Sequence, residues 1–104
     1  MFFFQLSDTS KELVDHFIGL CVKYLSDYAG QRHFSVGYRA LEMNRPVNAK
    51  DFEIAVHMIF DTFESYVEYA KSDRHNEFIT QSAGMSPERI IYDSFLHVSK
   101  SPVK

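Results

Sequence analysis

Between Phe52 and Phe60 apolar and mixed positions alternate, with Phe52, Ile54, Val56, Met58 and Phe60 on one side and Glu53, Ala55, His57 and Ile59 on the other. A period of two residues is that of a strand with one face against a core. The same alternation runs from His33 to Glu42, where Phe34, Val36, Tyr38 and Ala40 oppose Ser35, Gly37, Arg39 and Leu41. Between these two strands, Met43 to Lys50 carries Asn44, Pro46 and Asn48, which is loop chemistry. The aromatic run Phe2 to Leu6 predicts a buried first strand, and Ile90 to Val98 predicts a last one.

A different period separates the first two strands. Leu13, Phe17, Leu20, Cys21, Tyr24, Leu25 and Tyr28 recur every three or four residues, opposite Lys11, Asp15, Lys23 and Asp27. This is an amphipathic helix, with Thr9 and Glu12 spaced as a capping box and Gly30 placed to end it. After the third strand, Asp61 and Glu64 open a short helix through Phe63, Tyr66, Val67 and Ala70 that breaks near Ser72. A second piece begins there, capped by Ser72 or Asp73, carrying Phe78 and Ile79, and closed by Gly84 to Pro87.

The predicted order is strand, helix, strand, strand, broken helix, strand. It implies an α+β domain over residues 1–98, with a four-stranded antiparallel sheet, helices on one face and a flexible tail at 99–104. Such a sheet leaves its second face uncovered. A second copy related by a two-fold axis is the simplest cover, so the pattern implies a homodimer with His57 and Ile59 at the seam.

Composition sharpens this picture. The 104 residues include ten Phe and six Tyr but no Trp, more aromatic surface than one small core easily hides. A net charge of −3 with no Lys/Arg cluster argues against a nucleic-acid partner. No apolar run approaches the roughly 20 residues of a membrane helix, and Met1 to Leu6 lacks the basic leader and cleavage site of a signal peptide. The single cysteine, Cys21, lies in the apolar helical stripe and reads as a buried hydrophobe in a reducing, cytoplasmic compartment.

Candidate chemistry centres on His75, just inside a helix start, with Tyr69, Tyr66 and Phe78 on nearby helical positions. An imidazole moves protons near neutral pH, and a neighbouring Tyr hydroxyl can orient a substrate oxygen. The bland reading is that His75 is an ordinary surface or capping residue. Phe17, Tyr24, Ile54 and Phe78 could line a cavity or simply fill the core. His57 is an interface residue on this reading, and His16 and His97 have no partner at a useful spacing. No metal-binding pattern, phosphate-binding Gly-rich loop, nucleophile elbow or redox Cys pair is present, so no metal or cofactor is expected.

The segment from Asp51 to Phe78, DFEIAVHMIFDTFESYVEYAKSDRHNEF, resembles the stress-responsive dimeric α/β-barrel (Dabb) family. It shares an alternating strand ending in Phe, an acidic-capped helix, a Tyr, and a His-Pro-x-His-x-x-Phe-like run. The resemblance implies a ferredoxin-like fold, a dimer joined through its sheets, and a cavity between sheet and helices in each subunit. In polyketide-cyclase members a His and a Tyr of this segment act as an acid/base pair, roles that fall by position on His75 and Tyr69. Ser72 and Asp73 stand where the family run has His and Pro, and Ile54 stands at the strand-three histidine of the cyclase type.

Two functions follow as expectations. In the first, a small apolar or carbonyl ligand occupies the cavity, with His75 and Tyr69 catalysing a proton transfer of the cyclase or isomerase type. In the second, the protein is a non-catalytic stress-response or assembly protein whose aromatics serve core and dimer packing. A haem-degrading activity of related barrels is weakened by the missing Trp.

Overall fold

The computed structural model describes residues 1–98 and Lys100. The expected tail at 99–104 lies outside the described residues, apart from Lys100. Four strands and three helices follow in the order β1 (Phe2–Gln5), α1 (Lys11–Leu25), β2 (Gln31–Tyr38), β3 (Ile54–Phe60), α2 (Phe63–Ala70), α3 (Asp73–Ser82) and β4 (Glu88–Ile91). The sheet order is β2-β3-β1-β4, with every neighbouring pair antiparallel. This is the predicted βαββαβ arrangement with its second helix in two pieces.

Register sorts the side chains into two faces. Phe4 pairs with Ile54 and Phe2 with Val56, and all four are buried beneath the helices. They form the core with Phe17, Leu20, Cys21 and Leu25 of α1, Tyr69 of α2 and Phe78 of α3. Moving one residue along each strand reaches the opposite face, because successive strand side chains alternate. There Phe3 opposes Ala55 and Ile90, Ser35 opposes His57, and His33 opposes Ile59. Phe52 and Tyr92 meet Phe3 edge-on at 5.0 and 5.9 Å, while Ile59 and Ile90 are exposed.

Several ends differ from those the pattern predicts. The N-cap of α1 is Ser10, not Thr9, and its Oγ accepts from the Leu13 N–H. The helix also stops at Leu25, short of Gly30. Its last carbonyls are taken by side chains from elsewhere: Gln31 donates to Leu25, and the Arg74 guanidinium donates to Lys23 and Ser26 while stacking 4.6 Å from the Tyr28 ring centroid. Thr62, rather than Asp61, caps α2, accepting from the Ser65 N–H. The second strand ends at Tyr38 rather than Glu42, and the third begins at Ile54 rather than Phe52.

The last strand runs Glu88–Ile91 rather than Ile90–Val98, so it starts two residues earlier and ends sooner than the pattern predicts. Ile91 pairs with Phe2, and Tyr92 and Met1 then exchange the final backbone contact. Beyond it Phe95 is 83% exposed although its ring lies 5.9 Å from Phe63.

Candidate functional site

The break between α2 and α3 builds the site. Tyr69 sits in the last turn of α2, and Ser72 in the gap donates its hydroxyl proton to the Tyr69 carbonyl at 2.8 Å. The same Ser72 oxygen accepts from the His75 N–H at 3.1 Å, capping α3. One short polar residue therefore ends one helix and starts the next, and the bend sets the Tyr69 and His75 rings edge to face, 4.9 Å apart.

Aromatic side chains enclose the Tyr69 ring. Tyr28 meets it edge-on at 4.7 Å, Phe60 lies at 5.2 Å, and Tyr66 at 5.8 Å. Tyr69 is 1% exposed, yet its hydroxyl has no hydrogen-bond partner among the described residues, and neither has the buried Nδ1 of His75. Leaving a buried polar atom unpaired costs about 1–3 kcal/mol, so two in contact rings mark a place where polarity is retained against stability. The outer ring of the cluster is satisfied differently: Tyr66 donates to Asp93 at 2.9 Å.

Burial dominates the electrostatics. It pushes the Tyr69 hydroxyl far above its usual pKa, with Tyr28 and Tyr66 adding to the shift. Tyr66 rises to about 12 through burial and its bond to Asp93. Burial lowers the pKa of His75; the Ala70 carbonyl, near enough to favour the charged ring but not in hydrogen-bond geometry with Nδ1, acts against that, and the Arg89 charge adds to the lowering. His75 is therefore neutral at pH 7, and Tyr69 stays a protonated donor.

The lowered His75 value has a consequence for stability. The unfolded chain binds a proton at this residue below about pH 6.5, while the folded chain resists it, so the unfolded state holds more protons in that window. Stability contributed here is fully present above pH 6.5 and declines as the pH falls towards the lower folded value. Replacing His75→Gln is expected to flatten the fall in unfolding free energy between pH 6.5 and 5. An unchanged slope, measured by urea titration at each pH, would assign it to other groups.

The other predicted residues separate into two places. Phe17, Ile54 and Phe78 are buried core; Phe17 and Phe78 stack 6.0 Å apart and both contact Phe4. Tyr24 is half-buried on α1, its carbonyl accepting from the Tyr28 hydroxyl and Lys23 lying over its ring. His57 and Ile59 lie exposed on the open sheet face. Cys21 is completely buried, and burial pushes its thiol up to about 12, which leaves it unreactive.

Pattern reading missed Arg89. It pairs with Phe4 on the helix-facing side of β4, lays its guanidinium 5.2 Å from the Phe4 ring and 6.0 Å from that of Phe78, and donates to Ser82 at 3.3 Å. The sequence pattern begins the last strand at Ile90, one residue too late to include it, and only the register against Phe4 places it on that face. Two concavities lie elsewhere. A groove of about 330 Å³ is bounded by Val14, Tyr38, Arg39, Leu41 and Phe52, and a cleft of about 60 Å³ by Phe3, Gln5, Asp51 and Ile90. Neither is lined by Tyr69 or His75. Among the described residues, no group of three or more His, Cys, Asp or Glu side chains could hold a metal ion, and no helix is long and apolar enough to cross a membrane.

Element order, sheet order and the one-sided placement of the helices define a ferredoxin-like α+β fold. Solved structures of this kind are similar over most of the chain. A dimeric ferredoxin-like protein of unknown function from Thermobifida fusca YX has a TM-score of 0.67 and 18% identity over 86% of this chain and 80% of that one. A protein from Arabidopsis thaliana, its crystal structure treated by ensemble refinement, has a TM-score of 0.69 and 16% identity over 96% and 95%. A dimeric protein of unknown function with a ferredoxin-like fold from Bacteroides fragilis NCTC 9343 has a TM-score of 0.61 and 19% identity over 86% and 85%. No family model matches the sequence, and no curated protein sequence matches it.

Proposed function

We propose that the chain is a homodimeric, cytoplasmic small-molecule-handling protein of the stress-responsive dimeric α/β-barrel type. The ligand is small and mostly apolar, with a carbonyl or similar oxygen; to reach the Tyr69 hydroxyl and His75, which line neither concavity, it displaces the aromatic rings that enclose Tyr69. The observation that carries this reading is the pair of buried, unpartnered polar atoms in contacting rings. Tyr69, protonated, is suited to donate to a carbonyl oxygen, and His75, neutral with Nδ1 uncommitted, is suited to accept a proton from the adjacent carbon. That combination fits an enolisation, as in cyclisation or isomerisation.

A panel of aromatic and aliphatic ketones, titrated while following the Tyr69 and His75 ring resonances, tests the reading. Binding that is saturable in the native protein and lost in His75→Gln, with the fold unchanged, supports it; a panel that never perturbs these rings removes it.

A second reading rests on the tight stacking of Phe4, Phe17 and Phe78. Here the aromatics are structural and the protein serves as an assembly or stress-response partner without turnover. The two readings part over Tyr69→Phe: the first requires lost ligand binding with the fold unchanged, the second lost stability.

Dimerisation through the open sheet face is common to both. The face carries Phe3, Ala55, Ile59 and Ile90, apolar residues that a two-fold axis would set against their own copies, and two of the similar structures are described as dimeric. Ile59→Asp would place an unpaired carboxylate at this seam. Its dissociation constant is expected to rise at least about 100-fold, a difference of about 2.7 kcal/mol. Sedimentation velocity should show a dimer for the native chain and a monomer for the variant at micromolar concentration, whereas a dimer undisturbed by the substitution would place the contact elsewhere.

A further inference from the structure

The groove beside α1 and the loop after β2 has a chemistry of its own. Its walls are apolar: Val14 of α1, Leu41 of the loop after β2, and Phe52 before β3. Arg39 stands among them, half-buried, and among the described residues its guanidinium enters no hydrogen bond, ion pair or aromatic stack. The nearby hydroxyls of Thr9 and Tyr38 likewise make no side-chain hydrogen bond. Of the neighbouring charges, Lys11 pairs with Asp15 at 2.6 Å, while the Glu53 carboxylate, which also lines the groove, accepts from the Leu6 N–H through Oε1 at 2.6 Å and among the described residues makes no ion pair with Arg39.

A guanidinium presents a planar fork of donors that matches a carboxylate, and partial burial strengthens such a contact relative to one in open water. The groove volume of about 330 Å³ falls at the lower end of the range for small-ligand sites, roughly 300–1,000 Å³. We infer that this groove binds a small monocarboxylate, with Arg39 holding the carboxylate and Val14, Leu41 and Phe52 packing its apolar tail. Tyr38 and Thr9 supply further hydroxyl donors at the rim. The site is separate from Tyr69 and His75 and does not depend on them.

The test is a titration with octanoate, followed through backbone amide resonances of the uniformly labelled full chain, with octanol as the neutral control. Octanoate is expected to shift the amides of Arg39, Leu41 and Glu53 saturably. Arg39→Met should weaken it by about tenfold or more while leaving the much weaker octanol binding unchanged. Leu41→Asp, at a 70% exposed position that the fold does not need, should also weaken octanoate binding while leaving the fold intact. The inference is overturned if octanoate produces no saturable shift, if its shifts centre on Tyr69 and His75, if Arg39→Met binds it as tightly as the native chain, or if octanol matches it.

Discussion

Phe4→Ala is expected to lose about 3–5 kcal/mol of unfolding free energy, the range for removing a buried aromatic ring. Phe4 is the point where three elements meet: its ring contacts Phe17 of α1 at 5.0 Å, Phe78 of α3 at 6.0 Å and Phe2 of its own strand at 6.3 Å. On its fourth side the Arg89 guanidinium lies over the ring. Truncation would leave a cavity among rings fixed by backbone elements on every side, so little collapse can fill it. It would also strip a half-buried cation of an aromatic face. Against a total of about 5–15 kcal/mol for a typical domain, this loss leaves a chain at the edge of folding. Phe4→Leu, which keeps most of the apolar volume, should lose only about 1.5 kcal/mol or less. Urea denaturation with an unchanged slope separates the two; equal losses would mean that ring stacking matters little here.

Gly30→Ala should be nearly as damaging for a wholly local reason. Gly30 has φ of 81°, in the left-handed region, and its carbonyl accepts from the Asp61 N–H at 2.8 Å. A Cβ there would run into Ser65 Oγ and stand 2.6 Å from Ser65 Cβ, on the first turn of α2. The left-handed conformation alone costs a non-glycine residue about 1–2 kcal/mol, and the forced shift of α2 brings the expected loss to roughly 2–4 kcal/mol. Gly84→Ala is the control, because its φ is also positive, 82°, but a Cβ there meets nothing within 4 Å. It should lose only the conformational part. If the two variants melt together, the approach of Ser65 is not what restricts Gly30.

These two positions show how unevenly the fold could be read from the chain. The alternation in β2 and β3 and the helical stripe of α1 were visible because burial imposes its period directly on the sequence. The break at Ser72 was visible as well, since a hydroxyl with a helix-starting pattern behind it is a local signal. Gly30 was legible as a special residue but not in its role. It turns the chain into β2, while the end of α1 is set five residues earlier by Gln31 and by Arg74 from a distant helix. The end of β4 was equally illegible, because apolar residues continue to Val98 past its last paired residue, Ile91.

At the candidate site, the neighbourhood of Tyr69 and His75 could be anticipated from spacing. Their lack of partners could not, since the Tyr69 hydroxyl is enclosed by Tyr28 and Phe60 from other elements as well as by Tyr66 of its own helix. Arg89 and the Arg39 groove were hidden for the same reason: which face of a strand end is concave depends on register and loop path.

The most direct measurement of whether the buried polarity is kept for a ligand is the unfolding free energy of Tyr69→Phe in ligand-free protein. The hydroxyl has no hydrogen-bond partner among the described residues, so its removal is expected to leave stability equal or to raise it by about 1 kcal/mol, while ketone binding is lost. A fall of about 1 kcal/mol or more would show that the hydroxyl makes a structural hydrogen bond in the resting protein, and would contradict a ligand-directed role for Tyr69.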